Sequence, residues 1–321
     1  MKNIKSRPTK LEVLDVLTKR SFYPNRNEMS ELKRLRAGYE GEKVVVDYLK
    51  KHGKSHWTLL QNIWLEYVGT LECDGILFTG SDLFVLEIKH YSGLYEYENG
   101  LSKLNNRELS VNPIYQTRKA TMKVRELVCS RFSNVKVHGV LIFVGIDSEI
   151  KIASDVRDIE IVQRHELRGF IEKIAAEEVN GRRESVNPNQ IIKLIRKHLT
   201  ENPYPVEPPS AEVLDGLQKG IFCERCANST VNVTKKFVKC SCGMIESREK
   251  ATVRTICEYG VLNFTKDLTV NDLIDFFNGQ ASKTYLNKIL RSYFKLLSRG
   301  RQDYYENNIH LYTENYKYLL K

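Results

Sequence analysis

The chain has 321 residues, 41% hydrophobic and 28% charged, with a mean hydropathy of −0.41; this excludes global disorder and suits about two packed domains. Lys and Arg number 50 against 40 for Asp and Glu, giving +10 and a pI near 9.1, too small an excess for a histone-like chain but one that favours an anionic partner, of which nucleic acid is the commonest. No run of 18 apolar residues occurs, so no membrane span is expected, and the N-terminal MKNIKSRPTKLEVLDVL lacks the pattern of a secretory signal, which predicts a cytoplasmic protein.

The first predicted element is a long helix, about 27–52, closed by Gly53, with an apolar stripe of Leu32, Leu35, Tyr39, Val45, Val46 and Leu49. Strands follow over 57–65, 71–78 and 83–89, and a short hairpin over 93–104. A helix is expected from 113 to 132, where Met122, Leu127 and Val128 form the apolar side. The near-continuous apolar run 137–145 reads as a strand buried on both faces, and helices at 165–177 and 188–199 complete the domain. This order predicts an α/β domain with a mixed sheet flanked by helices. Four of the eight prolines fall in 201–210, which reads as a semi-rigid linker. It separates a part of net charge +7 (1–200) from one of +3 (201–321).

The sharpest chemical signal is LECDGILFTGSDLFVLEIKHYSG, 71–93. A two-residue turn at Gly80–Ser81 sets Asp74 opposite Glu87, with Lys89 two residues further on the same face. The neighbours Leu83, Phe84, Val85, Leu86 and Ile88 are apolar on both faces, so these charges need a partner or a metal. One reading is a structural salt bridge. The other is chemical: two nearby carboxylates repel, a hard divalent cation such as Mg²⁺ relieves them, and a lysine beside them orients a water. Glu42 sits within the apolar stripe of the first helix, which turns it towards the sheet or leaves it at the stripe edge as a cap. Gly38 and Gly41 lower helix propensity, which a close helix–sheet approach explains. In 112–131, Asn112 is an N-cap ahead of Pro113, and Gln116, Lys119 and Lys123 share a polar face that suits phosphate contacts or simple solvation.

Together, Gly38-x-x-Gly41-Glu42, Asp74, Glu87-Ile88-Lys89 with Gly93, and Asn112-Pro113-x-x-Gln116 make residues about 36–150 resemble the NERD (nuclease-related) domain of the PD-(D/E)xK, restriction-endonuclease-like nucleases. The resemblance implies a restriction-endonuclease-like fold and a Mg²⁺- or Mn²⁺-dependent DNA nuclease. Asp74, Glu87 and the Ile88 carbonyl would hold the metal, Lys89 would position the water, Glu42 would assist the metal, and Gln116 would contact the backbone or organise the site. His90 departs from the pattern, which usually has Asn there.

Cys223, Cys226, Cys240 and Cys242, spaced C-x2-C and C-x-C, point to a structural Zn²⁺ ribbon over 218–248, with a redox pair or plain buried thiols as the alternatives. Four ligands leave no open position for catalysis. The second pair is one residue short, which Gly243 accommodates. Cys73, Cys129 and Cys257 are expected as core thiols. Residues 250–321 are expected to form a helix–turn–helix with a wing: helices at 270–278 and 282–298, then a hairpin over 303–312 with Asn307–Asn308 at its tip and Tyr304, Tyr305 and Tyr312 upon it. Arg291, Lys295, Arg299 and Arg301 favour phosphate contact over mere packing. The whole reads as 1–200 nuclease-like, a linker, a zinc ribbon and a DNA-binding tail. The rival is a non-catalytic DNA-binding or adaptor protein in repair, plasmid biology or phage defence; RNA as substrate is a third reading.

Overall fold

The apolar runs 83–88 and 137–143 lie side by side as parallel strands in the middle of a six-stranded sheet, the place where a strand is buried on both faces. The computed structural model describes residues 8–20, 23–80, 82–153, 155–180, 187–298 and 303–307. The chain begins with α1 (Lys10–Lys19) and α2 (Arg26–His52), then β1 (Thr58–Glu66), β2 (Thr70–Phe78), β3 (Asp82–Lys89), β4 (Gly93–Glu98), β5 (Leu101–Leu104) and β6 (Arg107–Glu108). Next come α3 (Pro113–Cys129), β7 (Lys136–Phe143), β8 (Ser148–Ile152), β9 (Ile159–Gln163), α4 (Leu167–Asn180), α5 (Pro188–Lys197) and β10 (Leu199–Thr200). After the proline-rich stretch follow α6 (Ala211–Asp215), β11 (Val231–Val233), β12 (Phe237–Cys240), β13 (Ile245–Ser247), α7 (Arg248–Leu262), β14 (Leu268–Thr269), α8 (Val270–Phe276), α9 (Lys283–Tyr293), β15 (Leu296–Ser298) and β16 (Tyr304–Tyr305).

Two compact units divide the chain: Arg36–Pro203, and Met1–Leu35 together with Tyr204–Lys321. The expected first domain began at residue 1; instead α1 belongs with the C-terminal residues. In Arg36–Pro203 the main sheet has the order β10-β1-β2-β3-β7-β9, antiparallel through β1, β2 and β3 and parallel through β3, β7 and β9. One face packs on α3 and α5 through Val85, Val137, Ala120, Val124 and Ile191. The other packs on α2 and α4 through Phe84, Leu86, Val140, Val45 and Ile171. This is the mixed α/β sheet flanked by helices that the sequence predicts. A second sheet, β6-β5-β4-β8, contains the expected 93–104 hairpin. Tyr39 and Met122 depart from their expected apolar faces, at 59% and 53% exposed. The buried side of α3 is formed by Ile114, Thr117, Ala120, Val124, Leu127 and Val128.

In the other unit, β11-β12-β13 form an antiparallel sheet after the first cysteine pair, and β14-β16-β15 form a second small sheet around α7, α8 and α9. The second tail helix ends at Tyr293, not near 298, and Leu296–Ser298 is a strand instead. It pairs with β16, whose other side pairs with β14, so both edges of Tyr304–Tyr305 are taken and the expected partner strand after Asn307 has no edge there to pair with. Asn307 is buried and donates to the Gly260, Asn263 and Lys266 carbonyls; Asn308, Tyr312, Arg299 and Arg301 lie outside the described residues. Tyr304 is partly exposed and Tyr305 buried.

Helix α7, unforeseen in the sequence, is buried nearly all round, and it carries charge inward. Glu258 is fully buried, 2.5 Å from both Arg20 and Lys19 and 3.3 Å from Arg254. Arg254 also lies 2.5 Å from Glu246 on β13. The Arg20 guanidinium stacks over Phe276 at 4.1 Å and Phe222 at 4.7 Å and donates to the Gln218 and Gly220 carbonyls. Burial alone would raise the Glu258 pKa, but the charges of Arg20, Lys19 and Arg254 overcome it and hold the carboxyl at about 2. This folded value lies below the ordinary Glu value of about 4.3, so Glu258 contributes stability at neutral pH that is lost as pH falls towards 2. Arg20→Met leaves Glu258 under-compensated; a loss of about 3–5 kcal/mol is expected in urea unfolding at pH 7, narrowing towards pH 2. An unchanged unfolding midpoint would show the network to be dispensable.

Candidate active site

The β2–β3 hairpin has the register Gly75↔Leu86, Ile76↔Val85, Leu77↔Phe84 and Phe78↔Leu83, as the sequence predicts. It closes with Thr79 N–H donating to the Asp82 carbonyl at 3.1 Å, and Gly80 takes φ +103° in the turn, where a side chain is disfavoured; Ser81 lies outside the described residues. One step past the last pair stand Asp74 and Glu87. There the pleat of β2 inverts. Ile76 and Phe78 share a core with Leu71 and Cys73, although strict alternation would separate them. The inversion falls beside Asn62 of β1, whose φ of +48° does the same to Leu60 and Ile63. Freed from the ladder, Asp74 Oδ2 accepts the Ile88 N–H at 2.7 Å.

Glu87 is buried at 3% exposure, and its Oε1 lies 2.6 Å from Lys89 Nζ. At that distance the ammonium is the charge-assisted partner of Oε1, so Lys89 compensates the buried Glu87 carboxylate directly. Lys89 Nζ also donates to Gln116 Oε1 at 3.1 Å, joining β3 to α3. Glu42 on α2 accepts from Asn62 Nδ2 at 2.8 Å. Beside it, a Cβ on Gly41 would meet Val144 Cγ2 at 2.9 Å and His90 Cβ at 3.2 Å, which is the close helix–sheet approach expected there. Gly38 has open space around it, so that approach does not explain it. His90 Nδ1–H donates to the Ala37 carbonyl at 2.9 Å and ties the end of β3 to α2.

Burial raises the Asp74 carboxyl against the lowering effect of the Ile88 N–H and Lys89. Burial and the Asp74 charge push Glu87 up to about 7, against Lys89. Glu42 is raised by burial, then by Asp74 and Glu72, with Asn62 opposing. Burial would lower Lys89, but Glu87 holds it above its ordinary value. Glu72, two residues before Asp74, is drawn into the same field, raised by burial and by Asp74. Sequence reasoning missed Glu72 and Asn62. Their signals were a second acid at strand spacing from Asp74 and an Asn, poor in strands but tolerant of positive φ, in the middle of one.

Asn112 caps α3: its Oδ1 accepts from Ile114 and Tyr115 N–H and its Nδ2 donates to the Gly100 carbonyl. Its side chain therefore fixes where the helix starts. Gln116 is turned to Lys89, Lys119 is exposed, and Lys123 donates to the Val68 carbonyl at 3.0 Å. The Sγ atoms of Cys223, Cys226, Cys240 and Cys242 lie within 4.8 Å of one another, two pairs at 3.6 Å. Zn–S bonds of about 2.3 Å imply sulfur separations of about 3.8 Å, so this set fits a tetrahedral metal. Ala227 N–H bonds the Cys223 carbonyl and Gly243 N–H the Cys240 carbonyl, with φ +84° at Gly243, which closes the shorter pair. The Cys242 N–H pulls the Cys240 thiol down, while Cys226, against the Asn228 N–H, is held up by its contact with Cys240, so the pair shares one proton. Asp74 and Glu87 in turn offer carboxylate oxygens of the kind a hard cation takes, and burial raises both carboxyls despite Lys89.

Residues 37–144 match the family model of the nuclease-related domain, NERD. The match spans Glu42, Asp74, Glu87, Lys89 and Gln116, and stops before the cysteine cluster. No curated protein and no solved structure matches the chain. Within the NERD region, the seating of Glu42 depends on the missing Cβ of Gly41. Gly41→Ala is expected to destabilise the protein by about 1–3 kcal/mol, measured by thermal melting, whereas Gly38→Ala, in open space, is expected to be neutral or stabilising.

Proposed function

We propose that Arg36–Pro203 is a metal-dependent DNA nuclease core, hydrolysing phosphodiester bonds with Mg²⁺ or Mn²⁺, in a cytoplasmic protein. The observation that carries this is that half-buried Asp74, bonded to the Ile88 N–H at the inverted pleat, stands beside buried Glu87, with Lys89 held between Glu87 and Gln116. Asp74, Glu87 and the Ile88 carbonyl would hold the cation, with Glu42 assisting. When bound, the cation supplies a polarised phosphoryl oxygen and a more acidic water. Lys89 is the ammonium that orients the attacking water and stabilises developing negative charge. Gln116 holds Lys89 in reach, and Asn62 holds Glu42. The N-terminal end of α3, set by Asn112, and Lys119 and Lys123 supply phosphate contacts. No helix among the described residues is long and apolar enough to cross a membrane.

The four cysteines hold structural zinc in this reading, in a ribbon built on β11, β12 and β13. The order α7-β14-α8-α9-β15-β16 supports a winged-helix-like module, in which Lys283 and Lys288 on α9 face solvent. Arg291 and Lys295 stand 3.6 and 3.7 Å from Asp303 and Glu306, which tempers their pull on phosphate. One observation favours the rival, a DNA-binding protein without turnover: Lys89 already neutralises Glu87 within the fold.

Plasmid degradation separates the two. With Mg²⁺ or Mn²⁺, and not with EDTA, the protein is expected to cut DNA, and Asp74→Ala and Lys89→Ala are each expected to lose at least about 100-fold in rate. DNA binding without metal-dependent cutting supports the rival, and preferential cutting of RNA in competition moves the substrate class. Purified protein is expected to carry about one zinc per chain by elemental analysis, lost in a Cys223→Ser/Cys226→Ser variant. Stable zinc-free protein overturns the ribbon.

A further inference from the structure

The β11-β12-β13 sheet has two unlike faces. Inward, Val238 enters the core and Glu246 pairs with Arg254 of α7. Outward, the register sets Asn232 beside Lys239 beside Ile245, and Phe237 beside Ser247, and all five are exposed. Phe237 is 45% and Ile245 57% exposed, a large apolar allowance for a sheet of three short strands. The β11–β12 turn closes through Thr234 and Phe237, leaving Lys235 and Lys236 exposed at its tip. Residues 225–245 carry Arg225, Lys235, Lys236 and Lys239 and no acidic residue. An aromatic ring in the open, an aliphatic neighbour and an unopposed run of lysines form a stacking platform with a cationic border.

We propose that this outer face binds single-stranded DNA, with Phe237 stacking on a base, Ile245 lying beside it, and Lys235, Lys236 and Lys239 contacting phosphates. The proposal rests on the reading of the chain as a DNA-acting protein and adds a strand-binding site outside the carboxylate site. Charge selects the partner: a cationic border suits a polyanion, and a ring face is offered only to bases that are not paired and stacked in a duplex. A duplex would meet the lysines and leave Phe237 without a partner.

The test uses the full chain carrying Asp74→Ala, so that binding is read apart from cutting, without chelator. Fluorescence anisotropy follows a labelled oligothymidylate of about twelve nucleotides, with a duplex of equal length and polyglutamate as competitors. Phe237→Ala is expected to weaken oligothymidylate binding about tenfold, while Phe237→Tyr stays within about twofold. Lys235→Ala/Lys236→Ala is expected to flatten the salt dependence. Thermal melting checks the fold. If Phe237→Ala melts early, Phe237→Leu, which keeps apolar cover but has no ring face, takes its place with the same expected loss. Unchanged affinity in a folded Phe237 variant overturns the proposal. So does a duplex that binds more tightly, or polyglutamate that displaces the strand as well as DNA does. A protein that cuts plasmid but binds the oligonucleotide independently of Phe237 loses this site and keeps its nuclease reading. A protein that binds through Phe237 and never cuts does the reverse.

Discussion

A buried carboxylate in an apolar strand must be compensated, and the Arg36–Pro203 unit is organised around compensating Glu87. Its neighbours along β3 are Phe84, Val85 and Leu86, all buried, so water cannot solvate it. Lys89 answers part of the charge from the same strand face, and Gln116 keeps Lys89 in place. Asp74 then adds a second negative charge from the adjoining strand. The helices that approach this end of the sheet do so with residues suited to it: a glycine where α2 comes closest, and an N-cap that sets the first turn of α3.

The irregularity at Asn62 and Asp74 gives the acidic residues their positions. In an unbroken pleat, Glu72, Asp74 and Ile76 would all project to one face. With the inversion, Leu71 and Cys73 join the α3-side core, and Asp74 turns its carboxylate onto the Ile88 N–H. The same Asn62 that bends β1 donates to Glu42, so one residue shapes the strand and orients a helix carboxylate. Positive φ in a strand carries a local cost, and such costs persist where surrounding structure requires them.

Where periodicity was strong, the sequence was legible. The long first helix, the three antiparallel strands, the buried parallel strand and the hairpin register follow from alternation, a glycine turn and apolar runs, so Asp74, Glu87 and Lys89 come together as their spacing implies. The pleat inversion left no such trace, because a single positive-φ Asn is not a pattern. Helix α7 escaped notice because its buried side carries Arg254, Thr255 and Glu258, and the counter-ions Arg20 and Lys19 of Glu258 are more than 200 positions away in sequence. The tail hairpin was misplaced because Asn307 looks like a turn residue, while in the fold its amide satisfies three carbonyls at the end of α7. Local chemistry fixes turns and caps; it does not reveal distant counter-ions.

The buried carboxylates Glu258 and Glu87 are compensated to different degrees, and the contrast bears on what each cluster is for. Around Glu258 and Glu246, three cations meet two anions: Glu258 is driven down to about 2, while burial raises Glu246 against the pull of Arg254. Around Glu87, burial pushes up Glu87, Asp74, Glu42 and Glu72, the Asp74 charge adds to it at the other three, and Lys89 opposes it at Glu87, Asp74 and Glu72. A set of acids that the fold brings together and leaves electrostatically short of positive charge is poorly designed as a structural staple. It is well suited to a positive charge that arrives from solution, because each carboxylate it relieves adds to the affinity for that ion. Among the described residues, Lys89 is the cation that lowers Glu87, Asp74 and Glu72, and its bond to Gln116 ties its position to α3.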